Sequence, residues 1–600
     1  MIRERVRAIV AAAVARVLPD QAQAEFQVEP PRQAEHGDFA VNAALVFAKI
    51  ARTNPRKLAQ EIVDQLEDPD HLLEKVEIAG PGFLNIRLAK GVWHRALQAV
   101  WEERDAFGRS DAGKGRRTMV EFVSANPTGP MHVGHGRGAV IGDVVANLLE
   151  WAGYQVAREF YINDAGGQVW RLAHAVLARA TELRPGVPPV ALDAEDYQGE
   201  YVREVAQAWL DAGGDPARPF AEIREPLRAF ATAWILRNLI QPDLELFGIR
   251  FDKFFSEKAL HDENRLEAAI HLLDEKGMTA MEILPPPKGQ ERDPHDDEFV
   301  EKPLKVVKTT RFGDDRDRPL FKTTGEPTYF AADIAYHFDK ISRGYLRLIN
   351  VWGADHGGYV SRMKAAVQAM GGTLEIILFQ LVNLMKDGQP FKMSKRAANY
   401  VTLRELLETA GSDATRVFFL LRRGDMALDF DLGLAQKRDN TNPVFYVQYG
   451  HARCAAILRK AREEKGLEAR WDPEAMEALQ LPEEIDLIKR VLLLPELIAH
   501  AAAALEPHKV VFYLQETIAQ FHGYYTKYKK TERVISDDPR KSAARLYLVW
   551  AVRQTLANGL RVLGVSAPDR MDAAEEAADE APEAAPEAAA ETAAGAGKVA

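Results

Sequence analysis

Cysteine is almost missing from this chain. Only Cys454, one residue in 600, carries a thiol. No disulfide can form within the chain, and a cysteine-based zinc site is excluded. Cys454 falls in an apolar stretch with helical spacing, where a buried structural thiol is expected. Long hydrophobic runs are missing too, since no stretch approaches the ~20 apolar residues that a bilayer-spanning helix needs. The run from Ala8 to Ala15 follows a basic start but closes at Arg16. It reads as part of an amphipathic first helix, not as a targeting segment. There is no excess of positive charge either: 77 Lys and Arg face 88 Asp and Glu, a net charge of −11. That balance is awkward for a chain that binds a polyanion, but much of it is local. Residues 572–600 hold eight Asp/Glu against one Lys, a net −7, which leaves −4 for residues 1–571. A nearly balanced body can still carry basic faces for phosphates. The tail lacks aromatics, is rich in Ala and Glu, and contains Pro582 and Pro586. It is expected to be a disordered, solvating segment.

What is present supports several cores. Hydrophobic residues make up 47% of the 600, and at roughly 150 residues per domain the length suggests about four domains. The chain is organised around residues 121–142, EFVSANPTGPMHVGHGRGAVIG. Met119, Val120, Phe122 and Val123 form a β-rich apolar run, which Asn126-Pro127-Thr128-Gly129-Pro130 breaks. Val140, Ile141, Val144, Val145, Leu148 and Leu149 then recur at helical spacing. His132 and His135 therefore stand where a strand turns into a helix. The exposed N–H groups and the dipole there suit an anion. Side chains three apart lie on one side of a first turn, so both imidazoles can face one phosphate. A lone histidine would be read as a satisfied polar residue. Against that, Gly129, Gly134, Gly136 and Gly138 are expected to let a ligand approach the backbone. A second phosphate-suited stretch, Phe391-Lys392-Met393-Ser394-Lys395-Arg396, also follows a few hundred residues later.

HVGH followed by KMSK resembles a class I aminoacyl-tRNA synthetase. The flanks resemble arginyl-tRNA synthetase: YINDAGGQ at 161–168, PTYFAADIAYH at 327–337, GADH at 353–356, FKMSKRAANYVTL at 391–403 and NPVFYVQYGHARC at 442–454. The similarity runs from HGDFAVN at 36–42 to LGVSAPDRM at 563–571. The fold class it implies is α/β: a Rossmann-type catalytic domain, a small N-terminal α/β module and an all-helical C-terminal anticodon-binding domain. Residues 1–108 then form the N-terminal additional domain, which contacts tRNA. Residues 109–403 form the catalytic domain, with a connecting insertion at about 166–300, and 404–571 form the anticodon-binding domain. No separate editing domain is visible in the insertion. A site that pairs a guanidinium with buried carboxylates needs none, because an analogue lacking that group leaves them unpaired.

Local signals place elements inside these bounds. A first helix covers roughly 2–18, and a second is expected to start near Asp38 as its N-cap. A third starts at Asn54-Pro55, and residues 76–88 read as two short strands around Gly80-Pro81-Gly82. Gln155 to Ile162 and Leu348 to Trp352 read as strands, while Thr328 to Asp333 runs into a helix. The polar stretch 285–298 reads as a surface loop. From about 404 the pattern is helical almost throughout.

The resemblance implies that L-arginine is activated by ATP to arginyl-adenylate and then transferred to the terminal ribose of tRNA(Arg). Such chemistry needs positioning and charge stabilisation, not a covalent nucleophile. The catalytic residues implied are His132, His135, Lys392 and Lys395. ATP binding adds Gly134, Gly353, Asp355, His356, Met393 and Ser394. The arginine site takes Glu121, Asn126, Tyr329, Asp333 and Tyr336, since carboxylates pair with a guanidinium and aromatic faces attract it. Tyr449, Tyr524, Tyr525, Lys527 and Lys529 are expected on the tRNA face, where bases stack on rings and lysines meet phosphates. The competing reading of that segment is a helix with a core stripe and a solvated lysine face. Mg2+ is expected with the phosphates, without a protein-held metal, and the chain is expected to be a cytoplasmic monomer. Three other readings are weaker: other class I synthetases that lean on zinc or extra cysteines, a non-catalytic tRNA-binding paralogue, which would have lost HVGH or KMSK, and a small adenylyltransferase, which would lack the helical C-terminal region.

Overall fold

The computed structural model describes residues 2–19, 24–31, 33–283, 302–386, 388–391 and 401–571. Lys392, Met393, Ser394 and Lys395, most of the 285–298 loop's surroundings with the loop itself, and the tail from 572 lie outside the described residues. The chain divides into two compact units: Met1–Phe107 with Cys454–Leu493 and Gln520–Thr555, and Gly108–Arg453 with Leu494–Ala519 and Leu556–Ala600.

The first unit contains an antiparallel sheet of β1 (Val28–Glu29), β2 (Phe39–Val41), β3 (Leu73–Ala79) and β4 (Phe83–Leu88), in the order β1-β2-β4-β3. Helices Ile2–Val17 and Pro55–Asp64 match expectation, the latter capped by the Asn54 side chain on the N–H groups of Arg56 and Lys57. The Asp38 expectation is corrected. Phe39 and Val41 are buried, and the segment pairs with β4 with Phe39 opposite Ile86, so the helix starts only at Ala43. Asp38 instead accepts the Leu88 N–H at 2.8 Å. Ladder pairing and burial of two apolar side chains outweigh the local capping preference. In the C-terminal part of this unit, the fully buried Arg545 donates to Glu484 at 2.8 Å and to Glu532 at 2.7 Å.

The second unit is built on a parallel sheet. Its strands are β5 (Arg117–Glu121), β6 (Gln155–Ile162) and β7 (Lys253–Ser256). After a small antiparallel sheet of β8 (Thr279–Glu282), β9 (Leu304–Val307) and β10 (Arg318–Pro319) come β11 (Arg347–Gly353) and β12 (Thr373–Phe379). The order β12-β11-β5-β6-β7 makes the chain wind from β5 to one edge, return, and wind from β11 to the other. The direction reverses between β5 and β11, and the crevice outside the carboxyl ends at such a point is where α/β sheets bind ligands. HVGH follows β5 and Gly353-Ala-Asp-His follows β11. Helix Tyr329–Ser342 contributes Ala331, Ile334 and Ala335 to a core with Met363, Ala366 and Val367 of helix Val360–Met370 and Met119 and Leu348 of the sheet.

The expectation of helix almost throughout from 404 needs one correction. β15 (Leu428–Asp431) pairs in parallel with β13 (Val382–Lys386), which also pairs with β14 (Gln389–Pro390). Leu428 and Phe430 are buried while Asp429 faces out, the period of a strand. Cys454 is buried, as expected. Among the described residues no helix is long and apolar enough to cross a membrane.

Candidate active site

The turn after β5 is strained. Val123 has φ 67° and Ser124 φ 44°, a region a β-branched residue rarely adopts. Ser124 Oγ holds the turn by donating to Glu121 at 3.0 Å and accepting the Tyr161 N–H at 3.2 Å. The chain then enters helix Val133–Trp151, with His132 as N-cap. Two reciprocal bonds close a capping box: the His135 N–H donates to His132 Nδ1 and the His132 N–H to His135 Nδ1, both at 3.3 Å. The rings stack at 3.7 Å. Because both Nδ1 atoms accept, each neutral ring carries its proton on Nε2, so both present a donor at the outer edge. Burial pushes His135 down to about 3, and the neighbouring His132 adds to that; His132 is lowered by burial as well.

The reading of the glycines is corrected in part. A Cβ at Gly136 would lie 2.6 Å from Leu403, one at Gly138 2.8 Å from Phe379, and one at Gly129 2.9 Å from the Tyr201 hydroxyl. These glycines serve close packing of protein on protein. A Cβ at Gly134 would meet the His132 ring at 2.9 Å, so that glycine makes room for the imidazole.

The chain leaving the KMSK segment is tied to this turn. The Leu403 N–H donates to Met131 O at 2.8 Å and the Val133 N–H to Val401 O at 3.4 Å. His132 and Thr402 form an isolated bridge. The described chain resumes at Val401, so these bonds belong to Val401–Leu403, while Lys392 to Lys395 lie outside the described residues. Gly353, Asp355 and His356 stand at the carboxyl end of β11, with the last two exposed and their side chains 3.6 Å apart.

Of the arginine-site expectations, Glu121, Asp333 and Tyr336 fall in one acidic cluster. Asp333 accepts the Tyr359 hydroxyl at 2.6 Å. Its carboxyl is pushed up to about 7, mainly by burial; the Tyr359 bond opposes the rise, while Glu121 and Glu257 add to it. Glu121 accepts from Lys340 Nζ at 2.6 Å, and Lys340 is fully buried, with its ammonium 4.1 Å over the Tyr336 ring. The Tyr336 hydroxyl donates to Glu159 at 2.8 Å, and its ring lies 4.4 Å from that of Tyr161. Arg343 adds two bonds to Glu159, at 2.7 and 3.0 Å. Burial, reinforced by Lys340, holds His337 well below the usual imidazole range, and its ring sits between Asp333 O at 2.7 Å and Asn350 at 3.1 Å. Tyr329 is 81% exposed at the start of the same helix. Asn126 donates to Gln168 at 2.7 Å, joining the break after β5 to the YINDAGGQ stretch. Sequence reasoning missed Lys340, Glu159, Arg343, Glu257 and Tyr359. One signal was readable: Asp333, Tyr336 and Lys340 fall at i, i+3 and i+7, on one face of the helix.

The tRNA-face expectations divide. Tyr449 is 5% exposed and stacks 6.0 Å from Phe445, and Tyr524 is 2% exposed with its hydroxyl 3.3 Å from Glu484. Neither offers an open ring face for a base, because the helical period turns both into cores. Lys527 is exposed and paired with Glu483, while Tyr525 and Lys529 are half-buried.

Three family models match the chain: "Arginyl tRNA synthetase N terminal domain" over 4–88, "tRNA synthetases class I (R), catalytic domain" over 97–193, and "DALR anticodon binding domain" over 447–571. An arginine–tRNA ligase of Anaeromyxobacter dehalogenans (strain 2CP-C) is 48% identical, with 96% of this chain and 99% of that protein aligned. Among solved structures, a candidate arginyl-tRNA synthetase of Campylobacter jejuni matches at TM-score 0.67 and 32% identity, over 81% of this chain and all of that one. The Thermus thermophilus arginyl-tRNA synthetase shares the fold at TM-score 0.69 and 22% identity, over 95% of this chain and 100% of that one.

Proposed function

The chain belongs to the arginyl-tRNA synthetase family, and from that premise we propose which of its residues carry the reaction. It ligates L-arginine to tRNA in two steps: ATP and arginine give arginyl-adenylate and pyrophosphate, and the arginyl group then passes to the 3′-terminal ribose.

His132 and His135 donate from Nε2 to the α-phosphate as its charge develops, beside the N-terminus of their helix. Their neutrality suits them to donate without demanding a counter-charge. Lys392 and Lys395 meet the departing pyrophosphate, and Gly353, Asp355 and His356 hold the nucleoside side. Gly134, Met393 and Ser394 complete the nucleotide contacts. Mg2+ accompanies the phosphates, which supply the oxygens it prefers.

The guanidinium is received by Asp333, with Glu121 behind it and Tyr336 as a wall. Tyr329 covers it and Asn126 faces the α-amino side. The observation that carries this reading is the half-buried Asp333 carboxylate, held by Tyr359 and raised in pKa by desolvation and by Glu121 and Glu257. Such a group gains most from a cation that hydrogen-bonds to it. Tyr525, Lys527 and Lys529 remain the candidates for tRNA contact. The enzyme acts in the cytoplasm as a monomer on tRNA(Arg), and amino-acid activation waits for that tRNA. ATP–pyrophosphate exchange with each of the twenty amino acids, with and without tRNA, tests the assignment. Exchange with an amino acid other than arginine would reject the pocket.

A further inference from the structure

Helix Val133–Trp151 carries the two histidines at its first turn and is buried along nearly its whole length. Its far half nevertheless holds Asp143 and Asn147, four apart and so on one face. Asp143 is 6% exposed and accepts from Arg416, whose side chain is fully buried. That guanidinium spends its other donors on backbone: Nε to Leu563 O at 2.8 Å and Nη1 to Phe247 O at 3.0 Å. Asn147 donates to Val562 O at 3.0 Å and accepts from Arg158 at 2.7 Å.

Val562 and Leu563 are the last two residues of helix Pro539–Leu563. Carbonyls of a last turn have no partner within their own helix and form the negative end of its dipole. Here a cation and an amide close them, one of them borne by the histidine helix itself and the other paired to it. The following Gly564 has φ 68°, and a Cβ there would lie 2.3 Å from Arg416. The chain thus turns directly around the guanidinium. Helix Pro539–Leu563 lies within the span matched by the anticodon-binding family model, 447–571.

We propose that Asp143, Asn147 and Arg416 form a positioning node, through which the end of helix Pro539–Leu563 sets the placement of the histidine helix. This deepens, and rests on, the reading that activation waits for cognate tRNA. Donors aimed at a developing charge work only when correctly placed, so a small slide of the helix is enough to idle His132 and His135. A ligand that favours one arrangement of the helix end then favours the competent arrangement of the histidines.

The test measures ATP–pyrophosphate exchange at saturating cognate tRNA, tRNA affinity by filter binding, KM values for arginine and ATP, and melting temperature, in the full-length enzyme and in Asn147→Ala, Asp143→Asn and Arg416→Lys. The node predicts that exchange at saturation falls about tenfold or more while tRNA affinity and both KM values stay within about threefold. A purely structural role would lower melting temperature, or reduce activity only in step with the folded fraction. Undiminished saturated exchange in folded Asn147→Ala overturns the proposal, as does a loss explained by weaker tRNA binding. If Arg416→Lys does not fold, Asn147→Ala and Asp143→Asn decide. The wild-type arm separates the underlying reading: brisk exchange without tRNA overturns that reading and the node together, whereas tRNA-dependent wild type with unaffected variants overturns the node alone.

Discussion

Replacing Asp333 by asparagine should stabilise the arginine-free protein while destroying its affinity for arginine. The carboxyl is pushed up to about 7, chiefly by burial, against about 3.9 in an unfolded chain. The sign follows from that direction. Below pH ~4 both states hold the proton and nothing is lost. Between about 4 and 7 the unfolded chain releases it and the folded chain keeps it, so stability falls as pH rises, and it levels off above 7. Three units correspond to roughly 4 kcal/mol at most. Asparagine cannot ionise and keeps an oxygen for the Tyr359 hydroxyl, so it should recover about 2–4 kcal/mol at pH 8 and little at pH 4.5. Thermal melts of both proteins across that range, without arginine, measure the difference. The same group makes arginine binding pH-dependent in the wild type. A guanidinium pairs with the ionised form, so arginine KM should fall as pH rises toward 7 and then flatten, with about half a proton released per arginine bound at pH 7. In Asp333→Asn, KM for arginine should rise far more than KM for ATP, and its pH dependence should vanish. Parallel melting curves at every pH, or unchanged arginine affinity in the variant, would refute the argument.

Three further outcomes follow from the site. His132→Ala or His135→Ala should lower adenylate formation by about 10²–10³, near 2.7–4 kcal/mol, and lose ~1 kcal/mol of stability because each ring also caps the helix; near-normal exchange would remove them from the reaction. Cutting after Met571 should leave aminoacylation and melting temperature unchanged, since the Ala/Glu-rich remainder has too little apolar surface to pack; a large loss of either would show that it docks. Arginine-dependent ATP–pyrophosphate exchange in nuclease-treated enzyme should be nearly silent until cognate tRNA is added, and stay silent with tRNA of another specificity; robust exchange without tRNA would contradict this.

Local pattern alone was enough for the strand-to-helix passage at His132 and His135, for Gln155–Ile162 as a strand, and for the helices that open at Pro55 and Tyr329. Apolar period, capping residues and breakers act over a few residues, so the linear text contains them. The family and its reaction were legible in the same way, because HVGH, YINDAGGQ and GADH are contiguous stretches. Asp38 shows where this stops: its capping signal was real, but β4, nearly fifty residues away, offered the segment a ladder. The strand at Leu428–Asp431 likewise needed β13 as partner. Tyr449 and Tyr524 looked like stacking platforms because composition does not reveal which side of a helix becomes core. The charge pattern was the least legible part. Lys340 against Glu121, Arg343 against Glu159 and Arg416 against Asp143 pair residues far apart in the chain. Whether a carboxylate is spent on an internal cation or left to raise its own pKa, as at Asp333, depends on burial and on what stands within a few ångströms. Sequence settled the family and those elements whose signals are local; only the tertiary structure decided where strands found distant partners and which charges remain for the substrate, because burial and long-range pairing exist only once the chain has folded.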